Sequence, residues 1–121
     1  MTKTFSVLAT TIAAAALLWA LPAAAKQSAP RATTVTVTAG SPSEFKFKLS
    51  KTSVPAGSVT FNVSNKGNLP HDFKIGTKKT ALIQPGKTAK LTVSLKKGKS
   101  TYMCTVSGHA AAGMKGTLTV K

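Results

Sequence analysis

From Thr33 to the C-terminus, apolar and polar positions alternate with a period of two, the signature of half-buried strands rather than helices. Thr33 to Thr38 alternates cleanly. Glu44 to Leu49 places Phe45, Phe47 and Leu49 on one face and Lys46 and Lys48 on the other. Val59 to Val63 repeats the pattern, and His71 to Ile75 puts His71 on the face of Phe73 and Ile75. Thr80 to Ile83 reads as a short, weak strand. Lys87 to Leu95 carries Leu91, Val93 and Leu95. Ser100 to Cys104 sets Tyr102 and Cys104 on one side, and Thr117 to Val120 closes the chain. Gly and Pro clusters punctuate these runs at 40–42, 55–57, 65–67, 85–86 and 96–98. The pattern predicts an all-β fold, a Greek-key antiparallel β-sandwich or barrel of about eight strands. No long amphipathic helix and no internal repeat is apparent.

Strand direction follows from counting turns. If the first strand runs upward, the turns at 40–43, 65–70, 84–87 and 105–114 fall at the top, and those at 51–57, 76–79 and 96–99 at the bottom. His71 then opens a downward strand at the top, and Cys104 ends an upward strand there. Leu69, Pro70, Pro85 and Ala110 to Ala112 form an apolar cap at that end, fringed by Lys66, Lys87 and Lys115. Lys51, Lys78, Lys79, Lys96, Lys97, Lys99 and Lys121 fall toward the bottom.

The N-terminus departs from the strand pattern. Lys3, an apolar run from Ile12 to Leu21, and Ala23-Ala24-Ala25 match an export signal cleaved after Ala25. The run is short for a spanning helix and is followed by Pro22, so no integral membrane span is expected after processing. The predicted organisation is a signal peptide at 1–25, a flexible lead-in at 26–32 and a single domain at 33–121, with a periplasmic or secreted location. Removal of the signal leaves about 96 residues, enough for one modest core.

Charge narrows the partners. The chain has 17 Lys+Arg against 2 Asp+Glu, a formal net charge of +15, with Glu44 and Asp72 the only acids. Such a surface attracts acidic proteins and permits peripheral contact with anionic membrane, both sensitive to salt. Nucleic acid is a poor candidate: Arg31 is the one arginine, and no nucleic-acid-binding motif is present. Many of the lysines simply keep the surface solvated.

A lone cysteine in an exported protein is an inert buried residue, an intermolecular bridge or a metal-bound thiolate. Its neighbours bear on the choice. Four residues separate Cys104 from His109, and four more separate His109 from Met114. Individually, a histidine at a strand start, a buried cysteine and a loop methionine are ordinary structural residues. Gathered with His71 at one end of a sandwich, the thiolate, two imidazoles and thioether form the donor set of a blue-copper site. Zinc would fit the same donors but has no redox chemistry to exploit. Four protein donors close the site to substrate, and no nucleophile–base pair is evident, so an enzyme is not expected.

The segments 62–73 (Asn62-Val-Ser-Asn-Lys-Gly-Asn-Leu-Pro-His-Asp-Phe73) and 101–116 (Thr101-Tyr-Met-Cys-Thr-Val-Ser-Gly-His-Ala-Ala-Ala-Gly-Met-Lys-Gly116) resemble the first-ligand segment and the C-terminal ligand loop of the cupredoxins, the family of plastocyanin, azurin and auracyanin. The spacing from Cys104 to His109 is similar to azurin and auracyanin. The longer spacing to Met114 looks most like auracyanin, and Leu69-Pro70-His71 is closer to plastocyanin. The resemblance implies one type 1 copper held by His71, Cys104 and His109, with Met114 axial and the Pro70 carbonyl opposite. It implies an electron exit at the His109 ring edge, amid Leu69, Ala110, Ala111 and Ala112. Two positions depart from the family pattern. Asp72 stands where Asn is common, and it either braces Thr105 behind the ligand loop or merely offsets nearby lysines. Ser107 replaces a proline frequent in azurin-like loops, implying a less restrained loop. The expected function is a soluble, monomeric electron carrier that meets acidic redox partners. The alternatives are a copper carrier or buffer, and a metal-free β-sandwich binding module.

Overall fold

The computed structural model describes residues 32–121. The expected signal peptide and nearly all of the lead-in lie outside the described residues. Nine strands follow in order: β1 (Thr33–Ala39), β2 (Phe47–Leu49), β3 (Ser53–Val54), β4 (Gly57–Asn65), β5 (Lys74–Ile75), β6 (Lys78–Lys79), β7 (Thr88–Leu95), β8 (Gly98–Met103) and β9 (Lys115–Val120). They form a four-stranded sheet in the order β2-β1-β4-β7 and a five-stranded sheet in the order β3-β9-β8-β5-β6. The fold is an all-β sandwich.

Alternation decides which side chains meet between the sheets. Val35, Val37 and Ala39 of β1, and Val59, Phe61 and Val63 of β4, are buried, while Thr34, Thr36 and Ser58 face outward. Leu118 and Val120 of β9 and Val93 and Leu95 of β7 complete the pattern. Phe73 is the aromatic hub: it is fully buried, 5.1 Å from Phe61, 5.3 Å from Phe47 and 5.6 Å from Tyr102 between ring centroids. Burying one such ring contributes about 1.5–3 kcal/mol by area removed from water, so this cluster ties the sheets together close to the end that carries His71 and Cys104.

Both sheets are mixed, not purely antiparallel. β1 pairs in parallel with β4 over Thr33↔Val59 to Ala39↔Asn65, and β3 pairs in parallel with β9. Alternation reports which face a residue takes but not the direction of its neighbour. The two-residue β3 falls within a segment read from sequence as a bottom turn.

Three expected strands are shorter or displaced, each for a visible reason. Glu44 and Phe45 leave the expected strand because a turn, closed by Gly40 N–H to Lys46 O (2.9 Å) and Lys46 N–H to Ser43 O (3.1 Å), takes up that backbone. At 71–75 only Lys74 and Ile75 are strand. Asp72 N–H faces Cys104 Sγ at 3.5 Å and Phe73 N–H donates to Thr80 Oγ1 at 3.1 Å, so those donors leave the ladder. The Thr80–Ile83 strand reduces to one bridge, His71↔Ile83, and regular pairing shifts to β6.

The described topology gathers the upper turns as the count required. Lys66 N–H donates to Ala39 O, Asn65 N–H to Lys87 O, and Gly86 N–H to Asn65 O, each at 2.9 Å, so the turns near 40, 66 and 86 share one end. β5 and β8 bring Lys74 beside Met103, which sets the chain ends leading to His71 and Cys104 side by side.

Candidate metal centre

Two pieces of backbone deliver the donors. The first is the extended segment that ends at His71, whose N–H and C=O exchange bonds with Ile83 at 3.1 and 2.7 Å. The second is the loop after β8. It is closed on itself by Cys104 N–H to Met114 O, Met114 N–H to His109 O and His109 N–H to Val106 O, each at 3.0 Å. Backbone turns, in place of a proline at Ser107, restrain it. Gly108 (φ 81°) and Gly113 (φ 111°) adopt left-handed conformations that other residues take only with strain.

His71, Cys104 and His109 offer donor atoms that all lie within 4.8 Å of one another, and all three residues are buried. The two Nδ1 atoms are 3.1 Å apart, and Cys104 Sγ is 3.9 Å from His71 Nδ1 and 3.5 Å from His109 Nδ1. Donors around one ion at near-tetrahedral angles, with nitrogen at about 2.0–2.1 Å and sulfur at about 2.3 Å, stand roughly 3.3 Å (N to N) and 3.6 Å (N to S) apart. The observed spacings match that requirement. A thiolate with two imidazoles suits one copper ion.

The electrostatics fit a metal-bound trio. Burial pushes the Cys104 thiol above its usual range, against amide groups of Asp72 and Val106 that favour the thiolate. Burial, then the neighbouring His71, lowers the His109 pKa, which leaves a neutral imidazole able to donate a lone pair. A cation held by these three residues would offset the cost of burying the Cys104 thiolate.

The other sequence-predicted positions fall as follows. Met114 is fully buried in the core cluster at the loop's end. Pro70 is half-buried immediately before His71. Asp72 is only 5 % exposed; it accepts Thr105 N–H at 2.6 Å and a close bond from the Thr105 hydroxyl, so it is not a free surface charge. His109 is 8 % exposed, whereas Leu69 is 42 % exposed, and Ala111 and Ala112 are exposed with Ala110 half-buried. Leu82 adds a second exposed apolar side chain at this end, next to the Ile83 bridge.

Sequence reading missed four contributors. Glu44 Oε1 lies 2.8 Å from His71 Nε2. Asn65, fully buried, donates its side-chain amide to Leu69 O and Ile83 O at 2.8 Å each and accepts Gly67 N–H at 2.9 Å. Phe45 packs edge-on against His109 at 5.0 Å. Gly67 leaves room for the Glu44 carboxylate, since a Cβ there would overlap it and stand 3.0 Å from His71 Nε2. Glu44 alone carried a signal, as one of two acids in so basic a chain.

Auracyanin B superposes with a TM-score of 0.66 at 27 % identity, over 74 % of this chain and 89 % of its own. Rusticyanin from Thiobacillus ferrooxidans gives 0.58 at 27 % identity, over 73 % and 76 %. Auracyanin A from Chloroflexus aurantiacus, described as a "blue" copper protein, shares the fold at 0.65 and 19 % identity, over 75 % of this chain and all of its own. No curated protein sequence matches the chain. The family model for the cupredoxin-like domain matches residues 10–120, and across that span the chain belongs to the cupredoxin-like domain family.

Proposed function

We propose that the chain is an exported, monomeric electron carrier that cycles one copper ion between Cu(I) and Cu(II). The observation that carries this reading is the buried His71–Cys104–His109 trio, whose donor spacings suit a single ion. Met114, buried at the end of the same loop, would be a fourth, weaker donor. The like fold of auracyanin A, described as a "blue" copper protein, and of auracyanin B and rusticyanin supports the assignment. Copper supplies a one-electron couple that thiolate and imidazole tolerate in both states. The residues supply a dry, closed cage. With four protein donors there is no open position for substrate, which argues against an enzyme.

Electrons enter and leave through His109, whose ring is almost covered, with Ala111 and Ala112 exposed just beyond it in the loop and Leu69 exposed two residues before His71. This apolar face docks on the partner. The lysines draw in partners with acidic surfaces and permit contact with anionic membrane. Among the described residues, no helix is long and apolar enough to cross a membrane.

The test is to load the purified protein with Cu(II), record the intense thiolate-to-copper absorption and follow it by voltammetry. A blue protein that keeps its copper through reversible one-electron cycling supports the proposal. A colourless protein sinks it, and a protein that surrenders Cu(I) to an acceptor is a copper carrier instead.

A further inference from the structure

Glu44 reaches the metal centre from a turn far away in sequence, and its carboxylate is fully engaged there. Oε1 lies 2.8 Å from His71 Nε2 and accepts Leu69 N–H at 3.0 Å; Oε2 accepts Asn68 N–H at 2.9 Å. The surroundings are built to hold it. The 40–46 turn is closed by backbone bonds, Gly67 leaves the space the carboxylate fills, and Gly40 backs onto Gly67 so closely that a Cβ on Gly40 would stand 2.5 Å from the Gly67 Cα. Asn65 fixes the 67–69 backbone from the other side. The amides of Asn68 and Leu69 hold the Glu44 carboxyl below its usual range, as expected of a carboxylate accepting backbone N–H groups.

A neutral imidazole carries one N–H. An acceptor at Nε2 places the proton there and leaves the lone pair on Nδ1, the atom that faces His109 and Cys104. A carboxylate in this role does more than a neutral carbonyl. It brings a formal negative charge up against the back of the imidazole, where it favours the more highly charged oxidation state.

We propose that Glu44 is a positioning residue of the metal centre: through His71 Nε2 it presents Nδ1 to the metal, and its negative charge stabilises Cu(II) over Cu(I) and lowers the reduction potential. The electrostatic part rests on the copper reading above; the positioning part does not. Together with Asp72 behind Thr105, both acidic residues of the chain then serve the metal end, one behind each donor-bearing segment.

Two measurements on the full chain test this. The first reads the histidine tautomers of the metal-free wild type by ¹⁵N NMR, at about pH 8, above the usual histidine range. His71 is expected as the Nε2–H tautomer, accepting at Nδ1 from His109; a His71 proton resident on Nδ1 overturns the positioning role. The second compares the copper-loaded wild type with Glu44→Gln, which keeps the size and one acceptor oxygen for His71 Nε2–H and Leu69 N–H, removes the charge, and gives up the bond from Asn68 N–H to Oε2. The variant is expected to stay blue and to shift its Cu(I):Cu(II) ratio toward Cu(I) at least tenfold at a fixed potential, about 59 mV for one electron. A folded, blue variant with an unchanged or lower potential overturns the electrostatic role. If the wild type stays colourless the copper reading itself fails, and the tautomer of the metal-free protein still decides whether Glu44 positions His71.

Discussion

The two segments that supply the donors are built on opposite principles. The 104–114 loop carries three candidate donors in eleven consecutive residues and holds its own shape through short-range backbone bonds, with Asp72 as its one side-chain brace. The upstream segment carries a single donor, His71, and apart from the local bonds of Asn65 it is held by residues distant in sequence. Its backbone is pinned by Ile83, its ring by Glu44, and its approach by Asn65 and Gly67. A compact loop can therefore specify the donor types, while the geometry of the site depends on contacts made across the fold. Changes to the loop's donor atoms should remove the chemistry outright; changes upstream should act through packing and the orientation of His71.

The sharpest way to break this contrast is at Cys104. Cys104→Ala removes the thiolate, so all of the blue absorption should vanish while the metal-free fold persists by circular dichroism. Upstream, the largest effect is expected at Phe73, two residues beyond His71. Phe73→Ala empties a fully buried ring site and should cost about 3–5 kcal/mol in denaturant unfolding of the metal-free protein. A pair of glycine substitutions sharpens the comparison. Gly67→Ala forces the Glu44 carboxylate away from His71 and should destabilise by about 1–3 kcal/mol while also changing the copper spectrum. Gly108→Ala meets open space, so it should carry only the left-handed strain of about 1–2 kcal/mol and leave the spectrum unchanged. Equal spectral effects from the two would refute the division of labour. Asp72→Asn keeps an acceptor for Thr105 N–H but loses the charge; the potential should rise by up to a tenfold change in the ratio, about 59 mV, in voltammetry.

The smallest expected effect concerns acid. Because the folded Glu44 carboxyl is held below its reference value of 4.5, the stability it contributes is fully present above that pH and drains away as pH falls through the folded value. Metal-free Glu44→Gln should therefore lose less stability than wild type on acidification below about pH 4.5. Parallel acid titration curves would remove Glu44 from that role.

These differences also explain what could be read in advance. Period-two alternation in 33–38 and 59–63 marks the inward faces of β1 and β4, and the buried valines and Phe61 lie there. Counting turns was enough to bring His71 and the ligand loop to one end, because each chain reversal is a local event. The loop's chemistry was legible because its donors are contiguous. Glu44 was not, since it meets His71 across 27 positions only after the 40–46 turn has bent the backbone out of the expected strand. Asn65 read as a turn residue, and nothing local announces that its amide bridges Leu69 and Ile83. The parallel pairing of β1 with β4 is likewise invisible to alternation, which is the same for either direction.

Committing both carboxylates to the metal end leaves a molecule whose outward charge has a single sign. Among the described residues no lysine lies within ion-pair distance of an acid, because Glu44 is turned to the His71 imidazole and Asp72 to Thr105. On the proposed electron-carrier reading, such a field would draw an acidic partner in from many directions without choosing its final pose. Encounter and alignment would then separate into two stages: long-range attraction gathering the complex, and a short search across the surface ending at the exposed Leu69 and Leu82.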